Sequence, residues 1–121
     1  MRSVVFDANA LLMPFQFGMN LDMEIEALIG EFHGVVPSPI IGEVRKNGGK
    51  WAKAAVSFAR RYEVVRTEHM GDASVIEVAK KTGGIVVTND EALQKKLRME
   101  GIPYMYMKNR SRLGMWENGE N

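Results

Sequence analysis

Short apolar runs alternate along this chain with stretches whose apolar residues recur every three or four positions. Ser3-Val4-Val5-Phe6 has no polar side, as suits a strand buried on both faces of a parallel sheet. Gly34–Pro37 (GVVP), Tyr62–Thr67 (YEVVRT), Ile85–Thr88 (IVVT) and Pro103–Met107 (PYMYM) repeat the signal; the leading proline of the last suits an edge strand. Between these runs the period lengthens. Ala8–Met13 is predicted as a short helix ended at Pro14, followed by an apolar loop, Phe15–Met19. Asn20 is the predicted N-cap of a helix over Leu21–Phe32, with Leu21, Ile25, Leu28, Ile29 and Phe32 at helical spacing. Ser38-Pro39 reads as N-cap and N1 proline of a third helix, with Ile40, Ile41 and Val44 inward. After Asn47-Gly48-Gly49, Lys50–Arg61 is predicted as amphipathic helix. Gly71–Thr82, ended by Gly83-Gly84, and Asp90–Glu100, ended by Gly101, complete the set.

Strands alternating with helices imply a parallel sheet covered on both faces. The expectation is a three-layer α/β/α domain with five parallel strands in the order 3-2-1-4-5, since right-handed crossovers build outward on one side and return to the other. Residues 1–108 read as one domain, and residues 109–121 as a basic then polar tail with no pattern of its own. In this order the strands ending at Phe6 and Thr88 are neighbours at the switch point. Asp7 and Asp90 are then expected to face one crevice.

Composition narrows the function classes. The 121 residues contain no cysteine, which excludes a disulfide framework and a thiolate zinc site. No apolar run approaches the ~20 residues of a membrane span. The chain opens on a strand rather than a basic and apolar leader, so a cytoplasmic protein with no membrane partner is expected. The net charge of +1 hides an uneven distribution. Asp22, Glu24, Glu26 and Glu31 are acidic, whereas Arg45, Lys46, Lys50, Lys53, Arg60, Arg61 and Arg66 are basic, as are Lys95, Lys96, Arg98, Lys108, Arg110 and Arg112. Local basic faces are what a polyanion site needs; solvated helix faces are the plainer reading.

Each βα junction on the same edge of the sheet carries one acid: Asp7, Glu43, Asp72 and Asp90. Taken singly, each is equally well read as a helix cap or a surface charge. Thr88-Asn89-Asp90-Glu91 matches a capping box, and Asp7 and Asp72 stand where N-caps would. Four together are harder to explain so, because Ser, Thr or Asn would cap as well. Carboxylates brought that close repel one another unless a cation intervenes. Oxygen ligands without His or Cys favour Mg²⁺ or Mn²⁺. A metal so held activates water against a phosphodiester. Asn9, Thr88 and Asn89 are then candidates to orient the carboxylates or bound waters.

On these residues the chain resembles the PIN-domain nucleases. The matching pieces are VVFDANALL with Asp7, IIGEV with Glu43, GDASVIEVA with Asp72, and IVVTNDEAL with Thr88, Asn89 and Asp90, in order over residues 2–107. The resemblance implies a five-stranded parallel sheet, a Mg²⁺ or Mn²⁺ site and cleavage of single-stranded RNA to a 5′-phosphate and a 3′-hydroxyl. It implies that Asp7, Glu43, Asp72 and Asp90 are the catalytic, metal-holding acids and that Thr88 and Asn89 support them. The segment TNDEALQKKLRMEGIPYMYM with KNRSR looks most similar to the archaeal and eukaryotic ribosomal-RNA-processing branch, with VapC-type toxins second. That branch often carries a further acid where this chain has Ala73. The departure leaves open a non-catalytic module of RNA binding or ribosome assembly. PIN domains often pair, so a homodimer is also an expectation.

Arg45 and Lys46 beside Glu43, and Lys108, Arg110 and Arg112 after the last strand, are the candidate RNA-backbone contacts. His69, three residues before Asp72, reads as incidental. Tyr104 and Tyr106 read as members of a packed edge strand, with base stacking as the lesser alternative. Neither a P-loop nor a nucleotide glycine fingerprint occurs. A dehalogenase-like phosphatase also begins with a strand and an Asp, but its usual second Asp is Asn9 here.

Overall fold

The computed structural model describes residues 1–118. The chain runs β1 (Arg2–Phe6), α1 (Ala8–Phe17), α2 (Leu21–Ile29), β2 (Phe32–Pro37), α3 (Ser38–Asn47), a 3₁₀ turn (Gly49–Trp51), α4 (Ala52–Ala59), β3 (Glu63–Val65), α5 (Gly71–Thr82), β4 (Ile85–Val87), α6 (Glu91–Met99), β5 (Tyr104–Asn109) and β6 (Arg112–Trp116). The sheet order is β3-β2-β1-β4-β5-β6. The first five strands are parallel and take the expected order; β6 is antiparallel to β5. Helices cover both faces, as a three-layer α/β domain requires.

Central position and composition agree. Val4, Val5 and Phe6 of β1 and Ile85, Val86 and Val87 of β4 are wholly buried. Val5 faces Val35 on one side and Val86 on the other. At β2, Gly34 is required by packing: a Cβ there would lie 2.2 Å from the Tyr62 ring. That ring stacks on Phe6 at 4.5 Å and meets Phe58 of α4 edge-on. Phe15 of α1 joins the same cluster through Phe58 and Trp51. Helices α1 and α4 are thus tied to the sheet through aromatic contacts.

The helix expected over Leu21–Phe32 stops at Ile29, with Gly30 as its C-cap, and Phe32 opens β2 instead; three further expectations are corrected. The sheet has six strands, not five. The sixth comes from the stretch read as patternless, because Gly114 breaks the apolar run of RLGMW. Its partner explains the glycine: a Cβ at Gly114 would sit 2.8 Å from the Tyr106 ring, which lies across it from β5. Asn109 tightens the intervening turn by accepting the Ser111 N–H, and Trp116 stacks on Tyr104. Residues 119–121 of that stretch lie outside the described residues. Second, β5 is an interior strand, with β6 covering the edge that Pro103 suggested. Third, α1 passes through Pro14 to Phe17 and ends only at Gly18, in the left-handed conformation at φ 65°. Burial of Leu11 and Met13 before the proline, and packing of Phe15 after it on Trp51 and Phe58, hold the helix through the missing N–H.

Candidate active site

At the carboxyl ends of β1 and β4 the backbone leaves the sheet side by side. Asp7 there is 5% exposed. Its Oδ1 accepts the Ala8 N–H, so it caps α1, while its Oδ2 accepts the Thr88 hydroxyl at 2.7 Å and the Asn9 amide at 3.1 Å. The cap reading is therefore met, by a side chain that also joins a buried polar cluster. Thr88 is fully buried. Besides donating to Asp7, its hydroxyl accepts the Asp90 N–H at 3.0 Å. The capping-box reading of Thr88 is thereby corrected: Asp90 caps α6, its Oδ1 accepting from Ala92 and Leu93.

Asn9 completes the link between α1 and the start of α6. Its Nδ2 reaches Thr88 Oγ1 at 3.3 Å and its Oδ1 accepts the Asn89 N–H at 2.8 Å. Asn89 in turn accepts the Met107 N–H, holding β5 to the same junction. All three polar residues expected to support the acids lie in this network. Gln94, which donates to the Thr88 carbonyl, was missed; its signal was only its place one turn into α6.

Asp7, Glu43, Asp72 and Asp90 line one cavity of about 200 Å³, with Asn9 and Asn47. Glu43 and Asn47 are one turn apart on α3, an i, i+4 pair whose shared face follows from helical spacing alone. Asp72 lies in the first turn of α5 without capping it, and Lys96 of α6 stands 3.5 Å from its Oδ2. The acids repel one another. Burial raises the Asp7 carboxyl above its ordinary value; the hydrogen bonds from Thr88 and Ala8 oppose this, and Asp72 and Asp90 add to it. Glu43 is raised by burial and then by Asp7, Asp72 and Asp90.

Four carboxylates around one cavity, with Lys96 the one cation paired to them among the described residues, fit a further cation, and their all-oxygen donors fit Mg²⁺ or Mn²⁺. Among the described residues no three acidic or histidine side chains meet closely enough to form a ready-made ligand set. The cavity has room for several waters at roughly 30 Å³ each. A hard ion that keeps much of its hydration and takes one or two carboxylates directly suits that spacing.

The predicted basic contacts divide. Arg45 lies on the side of α3 away from the acids, over a depression shared with Lys53 and Arg60; Lys46 is exposed beside it. Lys108 is exposed on β5, and Arg110 borders a larger groove beyond α6. Arg112 instead pairs with Glu24 of α2 at 3.3 Å. His69 stays outside the cavity and bonds Glu77, whose carboxylate also accepts the N–H groups of Glu68 and His69. Those bonds anchor the loop leading to Asp72.

A family model described as a PIN like domain matches residues 4–110. Ribonuclease VapC4 of Methanocaldococcus jannaschii is 35% identical over 121 aligned residues, covering 89% of this chain and 92% of that protein. Ribonuclease VapC9 of Archaeoglobus fulgidus is 44% identical over 62 residues, 51% of this chain and 46% of that protein's length. Among solved structures, the PIN domain endonuclease Utp24 superposes with a TM-score of 0.80 at 21% identity, covering 98% of this chain and 96% of that one. A domain of a functionally unknown protein from Methanocaldococcus jannaschii follows at a TM-score of 0.60. The chain belongs to the PIN-like domain family.

Proposed function

We propose that this member of the PIN-like family is a metal-dependent endoribonuclease. The observation that carries the reading is the convergence of Asp7, Glu43, Asp72 and Asp90 on one cavity at the switch point of the sheet. The ribonuclease names of two relatives support it, one of them similar over nearly its whole length. Asp7 and Asp90, whose carboxylates are fixed by hydrogen bonds, and Glu43 and Asp72, which line the same cavity, would hold Mg²⁺ or Mn²⁺. The ion, when bound, supplies a water of lowered pKa and neutralises charge on the phosphoryl oxygens.

The chain's own groups do the rest. Thr88 and Asn9 fix the Asp7 carboxylate in one orientation, and the α6 cap fixes Asp90, so neither has to reorganise during reaction. Glu43 has no hydrogen bond that fixes its carboxylate among the described residues and lines the same cavity, which leaves it free to take a proton from an attacking water. Lys96 holds Asp72. Arg45, Lys46, Lys108 and Arg110 take backbone phosphates of a single-stranded RNA. The Arg112 ion pair with Glu24 makes it the weakest of the assigned contacts.

Similarity to ribonuclease VapC4 over most of both chains favours a VapC-like setting over processing of a ribosomal precursor, for which the Utp24 likeness supplies fold alone. The test is incubation with single-stranded RNA and Mn²⁺ or Mg²⁺. Cleavage is expected from the wild-type chain, but not with EDTA or from Asp7→Asn. Equal cutting by both proteins would overturn the assignment. RNA binding without turnover under any metal would make the chain the non-catalytic module that Ala73 left open.

A further inference from the structure

Across the N-terminus of α6 from the acids lies a second, larger concavity of about 850 Å³, between α6, β5 and the end of α1. Its size is within the usual range of ligand clefts. Its walls combine two aromatic rings, Phe17 and Tyr106, with three cations, Lys95, Arg98 and Arg110. Glu91 is the one carboxylate among its lining residues. Lys95 and Arg110 make no ion pair among the described residues, and the Arg110 guanidinium lies 5.5 Å from the Phe17 ring centre.

Tyr106 was read from sequence as packing. The fold separates it from its neighbour. Tyr104 is buried against Trp116, whereas Tyr106 is half-buried and borders the groove. Its ring is laid across Gly114, where any larger residue would push it away. The groove and the acidic cavity flank the same junction, Asn89 lining the first and its chain neighbour Asp90 the second.

The geometry points to this groove as the binding track for unpaired nucleotides next to the scissile phosphate, with a base stacked on Tyr106 and phosphates held by Lys95 and Arg110. This rests on the ribonuclease reading and extends it. The occupant is single-stranded, because an aromatic side chain stacks on a base only when that base is free of its helix. Net positive walls match a polyanion, and stacking without base-edge contacts makes the track tolerant of sequence.

The test is fluorescence anisotropy of a short labelled single-stranded RNA on the full chain carrying Asp7→Asn, so that nothing is cut. Adding Tyr106→Ala is expected to weaken binding about tenfold, with Tyr106→Phe close to the parent. Adding Lys95→Ala and Arg110→Ala is expected to lower the slope of log affinity against log salt by about one each. Lys95→Glu, on the helix surface, gives a loss of affinity that does not depend on the strand holding Tyr106. Unchanged affinity in Tyr106→Ala and Lys95→Glu, with the parent binding RNA, would overturn the inference and leave the groove to a protein partner. Equal binding of a duplex of the same sequence would also overturn it. A parent that binds as expected beside a wild-type chain that cuts nothing would sink the nuclease reading and spare the groove. No RNA binding at all would remove both.

Discussion

The two concavities flanking the start of α6 are built on opposite terms. The acidic one is small, and two of its carboxylates are held by hydrogen bonds: Thr88 and Asn9 on buried Asp7, and main-chain N–H groups on Asp90. The basic one is about four times larger, and two of its cations, Lys95 and Arg110, make no ion pair among the described residues. On the proposed reading the difference separates chemistry, which needs carboxylates fixed before the substrate arrives, from recognition of a flexible polyanion, which needs charge and stacking surface. Asn89 belongs to both. Its N–H serves the acid network through Asn9, and its side chain, bonded to β5, lines the groove.

The comparison breaks most visibly at Thr88. Thr88→Val keeps the shape but removes the donor to Asp7 and the acceptor for the Asp90 N–H. Stability is expected to fall by about 1–3 kcal/mol, measured by urea unfolding. Cleavage should fall about 10- to 100-fold, while single-stranded RNA affinity stays unchanged. Loss of RNA affinity in a still-folded Thr88→Val would show that the two concavities are one site.

Glu77 tests the acidic side through pH. Hydrogen bonds from the Glu68 N–H and from His69 lower its carboxyl to about 2 in the folded chain. A folded value below the unfolded one stabilises above the unfolded pKa of about 4.3, and the contribution disappears as pH falls through the folded value. Wild type should therefore be more stable than Glu77→Gln at neutral pH, and the gap in thermal midpoint should close between about pH 4.3 and 2. A gap constant with pH would mean the loop before Asp72 is held by something else.

Glu43→Gln has the opposite sign. Burial and three neighbouring acids raise the folded value of Glu43, so its charge destabilises increasingly as pH rises through its titration. In EDTA at neutral pH the variant should melt about 1–2 °C higher than wild type. Its further gain on adding Mg²⁺ should be smaller than that of wild type. An equal or larger gain would take Glu43 out of the cation's reach. The smallest effect is expected at Arg112→Ala. Its exposed ion pair with Glu24 is worth about 0–1 kcal/mol, and RNA affinity should change less than in Lys95→Ala.

Much of this was legible along the chain. Apolar runs with no polar side located β1 and β4 at the centre, and crossover handedness ordered the parallel strands. One acid per junction indicated a shared edge. β6 was not legible, because its glycine is explained only by a tyrosine on another strand. Nor was the course of α1 through Pro14, where packing on both sides outweighs the local rule.

Local periodicity and the handedness of the chain determine which backbone segments end at the same rim, so the sequence alone determined the fold class and the four acids to examine. Which atom meets which depends on contacts between residues far apart in number. The tertiary structure therefore decided that Thr88 serves Asp7 rather than its own helix, that Asp90 is the cap, and that Arg112 turns to Glu24. It also decided that Tyr104 is buried while Tyr106 borders the groove. The physical reason is that a hydrogen bond or a ring contact depends on the packed position of both partners, and a linear pattern specifies only one of them at a time.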